Sequence, residues 1–379
     1  MKYDKVFQTI GKVYIVGACS RAKTLVGYLE FLYPHIHVEN YLVDTLEGNE
    51  DNIKGVEVIQ FNEKMQVCNT YPAFIATKGI YHAVITKQLT DLGFTQIIPI
   101  TPEVDNFLKN EYVKRIFEKN ARVFLKIEQL DCIQKYPTLK GYNDLEHTEY
   151  ASSCIYMAKS IYDKPLQTEY LMPNYESAIQ VGTSLTTQRL ENCRFFDNEG
   201  DNISDKNRQY CELTGMYWIW KHASEDIVGL SHYRRHFILP GDWLKRMEYN
   251  RLDAVLPVPT YVQPNIEKNY CERHDTDELE CMLSYLKNQK KDDYQIAKKV
   301  FEGNLYYPCN MFIMKKEILY SLCEWLFPIL DAVTKECGIK EDVYLNRYPG
   351  FLSERLITIF FTKHSDKYRI AFADKTFLS

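Results

Sequence analysis

The chain has 379 residues, enough for two domains with separate hydrophobic cores. Hydrophobic residues make up 45% and charged residues 26%, the proportions of a folded globular protein rather than a disordered one. With 46 basic and 51 acidic side chains the net charge is -5, which argues against general nucleic-acid binding. The opening stretch MKYDKVFQTIGKVYIVG places charges inside every window long enough for the apolar core of a signal peptide. No segment approaches the roughly 18 uncharged apolar residues of a membrane span. The expected location is therefore the cytoplasm, with any work at the inner face of the cell membrane done peripherally. Eleven cysteines are scattered along the chain without a CxxC pair, the pattern of reduced thiols rather than of a zinc ribbon or a disulfide framework.

In chain order, residues 12–100 alternate short apolar runs with helical spacing. KVYIVGA (12–18), VENYLVD (38–44), GVEVI (55–59) and TQIIPI (95–100) read as strands. SRAKTLVGYLEFLY (20–33) and TKGIYHAVITKQLTDLG (77–93) read as helices. This alternation predicts a parallel sheet in a small Rossmann-like domain over residues 1–125. The first turn, GACSRAK, keeps only Gly17 of the glycine fingerprint and has Cys19 in place of the second glycine. Asp44 ends the second strand, where a ribose-binding acid would sit. The expectation is a degenerate nucleotide-binding domain. Residues 103–150 read as charged and helical, and a second α/β domain is expected over 126–379, restarting with a strand at CIYMAKS (154–160).

Four segments of the second half carry candidate chemistry. DNEGDNISDKN (197–207) is rich in turn residues, with Ser204 placed to cap a helix. Asp201, Asn202, Lys206 and Asn207 make it a candidate ligand loop. VGLSHYRRHF (228–237) reads as a strand delivering His232, Tyr233, Arg234 and Arg235 to the end of a sheet. YPCNMFIMKKEIL (307–319) is a strand entered by the polar Asn310. In RYPGFLSERLITIFF (347–361) the spacing predicts a Pro-Gly turn, a cap at Ser353 and Glu354 in the first turn of a helix, where a carboxylate serves either the helix dipole or, presented to a pocket, as a general base. One DxD, Asp275-Thr276-Asp277, opens a helix rather than following a strand, so its carboxylates read as dipole partners rather than metal ligands; His274 precedes it.

The order of these segments resembles the GT-A glycosyltransferase plan, in which a nucleotide-sugar site forms at strand ends and a DxD-bound metal holds the diphosphate. From about residue 154 to 363 the sequence resembles the bacterial capsular-polysaccharide biosynthesis domain long catalogued as of unknown function. The blocks IYMAKSIYDKPL, IQVGTSL, GDNISDKN, YCELTGMYWIWK, VGLSHYRRHF, DAVLP, CNMFIMKKEI and GFLSERL carry that resemblance. Some relatives look like galactofuranosyltransferases of O-antigen polymerases. The N-terminal domain is similar to nucleotide-sugar-binding modules that precede some sugar acetyltransferases.

The resemblance implies an inverting transferase moving a sugar from a UDP-sugar donor to a capsule or O-antigen glycan, free or lipid-linked, with no cofactor. Where the GT-A strand would end in a metal-binding acid pair, this strand ends in SHYRR. Arginine neutralises a diphosphate directly through bidentate hydrogen bonds, so no metal is expected. Glu354 is then expected as base, with His232 and Arg234 stabilising the leaving diphosphate. Asp201, Asn202, Lys206, Asn207, Tyr233 and Arg235 would hold the donor, and His274 and Asn310 the acceptor. Two rival functions use the same residues. One is a non-catalytic nucleotide-sugar or glycan-binding subunit, and the other is transfer of a phosphorylated group from a nucleotide donor.

Overall fold

The computed structural model describes residues 2–62, 68–132, 151–167 and 170–378, and the chain divides into two compact units, Met1–Val123 and Phe124–Ser379. Much of the stretch read as charged and helical before the second domain, residues 133–150, lies outside the described residues.

In the first unit the strands are β1 (Lys12–Val16), β2 (His37–Val43), β3 (Asn52–Ile53), β4 (Val56–Gln60), β5 (Ala73–Ile75) and β6 (Ile97–Pro99). They form one sheet in the order β3-β4-β2-β1-β5-β6, parallel throughout except where β3 turns back along β4. β1 runs through the middle, with Val13, Ile15 and Val16 fully buried. Helices Ser20–Leu32 and Pro102–Lys119 pack against each other, the latter capped by Thr101 with Pro102 in its first turn. The sequence reading missed β5, a strand too short at three residues to show a period. The helix read from residue 77 begins only at His82, after a 3₁₀ turn at Gly79–Tyr81.

The second unit carries β7 (Ser153–Lys159), β8 (Glu176–Gln180), β9 (Phe195–Phe196), β10 (Ile227–His232) and β11 (Ala254–Pro257). A separate two-stranded ribbon follows, β12 (Thr260–Tyr261) with β13 (Leu305–Tyr306), and then β14 (Phe312–Lys315) and β15 (Ile370–Ala373). The main sheet has the order β15-β11-β14-β10-β7-β8-β9. Only β14 is antiparallel, running against both β10 and β11. β10 is buried on both faces, which is why IVGL reads as an unbroken apolar run rather than an alternating one. The class expected from the sequence, a Rossmann-like unit followed by a GT-A-like α/β unit, is the observed one.

Two local readings are corrected. Pro349 and Gly350 do not form a turn before the last helix. They lie in its first turn, because the helix runs Tyr348–Lys363 and a proline at its start sacrifices no hydrogen bond. Glu354 therefore sits in the second turn, and Ser353 caps nothing. Ser204 is not a helix cap either; it is buried at the start of a 3₁₀ turn, Ser204–Lys206.

Candidate active site

Three parallel strands of the second unit, β7, β8 and β10, end side by side, and the loops beyond them wall a cleft of about 790 Å³. Strand ends in an open parallel sheet are the usual place for a ligand, because the chain leaves on different faces and opens a crevice there. Six cations line this cleft, Lys159, Arg208, Arg234, Arg235, Lys340 and Arg347, against three acids, Asp163, Glu212 and Glu341. The excess of positive charge in one concave site favours an anion.

The strand β10 delivers its cations through a tight turn. The His232 N–H donates to the Arg235 carbonyl at 2.9 Å, and the Arg235 N–H donates back at 3.0 Å. The turn is held from below by His236, whose Nδ1 lies 3.0 Å from the Glu176 carboxylate. The same carboxylate accepts from Ser231 and Tyr170, each at 2.6 Å. His236 is thus buried structure, while Tyr233, Arg234 and Arg235 line the cleft. Nε of Arg234 is buried and has no hydrogen-bond partner among the described residues. A buried guanidinium N–H is normally paired, so this one is open to water or to a ligand.

Opposite the turn, Cys309 and Asn310 adopt left-handed φ values of 71° and 52°, a conformation costing of order 1 kcal/mol or more per non-glycine residue. Side chains from the last helix clamp them. Glu354 Oε1 accepts from the Cys309 N–H, and the Ser353 hydroxyl donates to Asn310 Oδ1. The clamped segment in turn holds two groups of the cleft. His232 Nε2 donates to the Cys309 carbonyl at 2.6 Å, and Asn310 Nδ2 donates to Glu212 at 2.8 Å. Burial lowers the His232 pKa below its ordinary value, with Arg235 adding to the effect and Glu212 opposing it. His232 is accordingly a neutral, oriented imidazole rather than a cation.

Beside the cations, Asp163 accepts the Ser160 N–H at 2.7 Å. Burial pushes its carboxyl up to about 6, against the pull of the Ser160 N–H and of Lys159, Arg234 and Arg347. A carboxyl held near neutrality in a cleft is a mark of a functional site.

The structure brings His232, Tyr233, Arg234, Arg235 and Asn207 to the cleft. The others lie elsewhere. Asp201 binds the Tyr217 hydroxyl at 3.1 Å and lies 3.6 Å from Lys221; Asn202 donates to the Asn198 and Gly200 carbonyls; Lys206 pairs with Asp331 at 3.2 Å. The density of polar residues at 197–207 has a structural cause. The fully buried Asp197 accepts from the Gly182 and Thr183 N–H groups and from the hydroxyls of Thr183, Ser204 and Thr214. It ties the loop after β8 to the next helix. Asn207 packs so closely on Gly182 that a Cβ there would fall 2.6 Å from its amide oxygen.

Glu354 does not line the cleft. Its second oxygen pairs with Arg355 at 2.6 Å, and burial raises its pKa while Arg355 opposes the rise. His274 stacks on Phe351 with ring centroids 4.0 Å apart, and burial pulls its imidazole down to about 4. Asn310 is buried behind Glu212 rather than exposed to the cleft. Asp275 lies 3.4 Å from Lys340, and Asp277 stands in the first turn of helix Thr276–Gln289.

Sequence reasoning missed Asp163, Glu212 and Arg347. All three fall inside or beside motif blocks read for other residues: YDKPL, YCELTG and RYPGFLSERL.

The first unit has a strand-end cavity as well, about 600 Å³, at the end of β1, where the strand order reverses between its two parallel neighbours β2 and β5. Gly17, with φ of 107°, forms its floor against Thr77, and Cys19 and Asp44 line it. Its lining is mostly apolar or uncharged, with Arg21 and Lys78 the cations.

A family model described as a domain of unknown function, DUF4422, matches residues 161–365, more than half of the chain. Among solved structures, the chain is similar to the apo structure of the WbbM bifunctional glycosyltransferase, at 25% sequence identity and a TM-score of 0.53. The likeness covers 60% of this chain and 45% of that one, so this chain spans less than half the length of that relative. No curated protein matches.

Proposed function

The chain belongs to the DUF4422 family, and from that premise we propose that its second unit is a glycosyltransferase using a nucleotide-diphosphate sugar. The observation that carries the reading is the cationic cleft at the ends of β7, β8 and β10. The likeness to the WbbM glycosyltransferase supports the class of reaction. The sequence resemblance to capsule-assembly domains favours a UDP-linked hexose, UDP-galactofuranose included, and a capsule or O-antigen glycan as acceptor.

In an inverting reaction the acceptor hydroxyl oxygen bonds to the anomeric carbon as the bond from that carbon to the diphosphate oxygen breaks. The electron pair leaves with the diphosphate, and one proton leaves the acceptor. Arg234, Arg235 and Arg347 suit the first task, since planar guanidinium groups bind phosphate oxygens bidentately where charge develops. Asp163 suits the second. Its raised carboxyl is ionised at neutral pH yet basic enough to accept a proton, the compromise a general base requires. Glu212, fixed by Asn310, is the second carboxylate and holds an acceptor hydroxyl. Glu354 becomes a positioning residue, acting through the Cys309–Asn310 segment. With arginines at the diphosphate, the reaction calls for no metal ion.

The test is a panel of UDP-, GDP- and CMP-sugars, read first by thermal stabilisation and then by product. A ligand at 100 times its Kd stabilises the folded state by about 2.7 kcal/mol, ample to detect. The proposal expects one UDP-sugar to stand out and to yield UDP on turnover. Release of a nucleoside monophosphate would make the protein a phosphoryl-group transferase, and binding without turnover in the presence of glycan acceptors would make it a binding subunit.

A further inference from the structure

The mouth of the cleft differs from its floor. Four large apolar side chains on its lining stand in solvent: Tyr162 at 67% exposure, Ile339 at 83%, Val343 at 80% and Phe377 at 66%. They come from three separate stretches, the turn after β7, the loop between helix Lys316–Cys337 and the 3₁₀ turn Leu345–Arg347, and the C-terminal segment. Single exposed apolar residues are ordinary on a protein surface, but four converging on the rim of one polar cleft are not. Sugar stacking accounts for aromatic rings, and it does not account for Ile339 and Val343, which have no ring face to offer.

The charges beside them narrow the partner. Lys159 and the exposed Arg208 stand on the same lining, with Glu341 its exposed acid and Lys340 paired to Asp275 and Glu278, so the rim sets apolar tips beside cations, the combination that seats on an anionic bilayer surface. A protein partner or a second copy of the chain on this rim would close the cleft that substrates must enter. A fluid lipid surface does not, and it delivers a lipid-borne acceptor laterally to the opening.

We propose that this rim is a membrane-docking surface, inserting Tyr162, Ile339, Val343 and Phe377 among anionic lipid headgroups so that the cleft opens toward a lipid-linked acceptor. Docking itself rests on the rim alone; the delivery of acceptor rests on the glycosyltransferase reading. The experiment is co-sedimentation of the full chain with vesicles of phosphatidylcholine alone and of phosphatidylcholine mixed with phosphatidylglycerol. A variant carrying Ile339→Ser and Val343→Ser is run beside it. Both substitutions are neutral in charge and solvent-exposed, and a melting curve checks that the variant folds.

The proposal expects binding to the mixed vesicles, weaker binding to phosphatidylcholine alone, and a loss of about tenfold or more in the double variant as buried apolar area is removed. Hydrolysis of a UDP-sugar without vesicles is followed in the wild type as a separate readout of the transferase reading. Wild-type protein left in the supernatant, or a double variant that binds as tightly as wild type, would overturn it. Vesicle binding without any UDP-sugar hydrolysis would leave the docking surface standing and remove the transferase reading instead.

Discussion

Both units are α/β sheets with a cavity at the ends of their parallel strands, and the two cavities differ less in size than in charge. The first, about 600 Å³, is walled by residues such as Leu42, Phe61, Val84 and Ile85, with Arg21, Lys78 and Asp44 its charged residues. The second, about 790 Å³, holds six cations and a carboxyl pushed up to about 6. Architecture alone places an opening in each unit. What separates them is the residue at the end of the central strand. β1 ends in Val16 and runs into Gly17, whereas β10 ends in His232 and runs into Tyr233, Arg234 and Arg235. On the proposed function, this difference is the reason for assigning the diphosphate to the second unit.

The largest test of that comparison is Asp163→Asn. Loss of a general base typically slows a reaction by about 10²–10⁴-fold, so turnover should fall by that much while donor affinity survives. In the wild type, the rate should rise as pH climbs through about 6, where Asp163 loses its proton. Stability should move the other way. A carboxyl raised in the folded state costs stability as pH rises from its unfolded value through its folded one. Asparagine carries no such cost, so the variant should melt higher than wild type above pH 6, and the gain should vanish toward about pH 4. A variant that is slower and also more stable is the signature of a site held against its own folding energetics. An unchanged rate would remove Asp163 from the mechanism.

Next in size is Glu354→Gln. Glutamine can still accept from the Cys309 N–H, but the buried Arg355 loses its charged partner. Stability should drop by about 1–3 kcal/mol, read as a lowered Tm, while the rate of the folded fraction stays within about tenfold. A fall of the size expected for Asp163→Asn, with Tm unchanged, would return Glu354 to the role of base.

That exchange of roles shows how far the sequence could be read. Apolar runs such as KVYIV and IVGL reveal their strands because the sheet buries them on both faces. The arginines of HYRR were legible because cations following a buried strand must emerge at its end. Glu354 misled because the Pro-Gly pair suits a turn as well as a first helical turn, and only the fold shows the helix starting at Tyr348. Asp201, Asn202 and Lys206 misled for another reason. The loop's polar residues answer to Asp197, a buried carboxylate whose five donors come from three separate stretches of chain. Asp163 gave no local signal, since its raised pKa comes from burial that tertiary packing creates.

Two expected null effects sharpen the contrast between the units. Arg21→Ala, in the first cavity, should leave UDP-sugar affinity and turnover of the full chain within about twofold of wild type, because that cation lies outside the proposed diphosphate site. Excess EDTA should likewise change transfer by less than about twofold, since in the proposed site guanidinium groups supply the neutralising charge. Loss of activity on chelation, restored by manganese, would bring Asp275 and Asp277 back as ligands.

The most direct measurement is a calorimetric titration of UDP into the wild-type chain and into Arg234→Ala, with Arg234→Lys alongside. A charge-assisted bidentate contact is worth about 1.5–3 kcal/mol, and its loss should weaken binding by about 10- to 150-fold. Lysine should recover only part of that, because an ammonium group cannot reproduce the planar fork. If Arg234→Ala binds UDP as tightly as wild type, the cleft at the end of β10 does not hold the diphosphate, and the assignment made here is wrong.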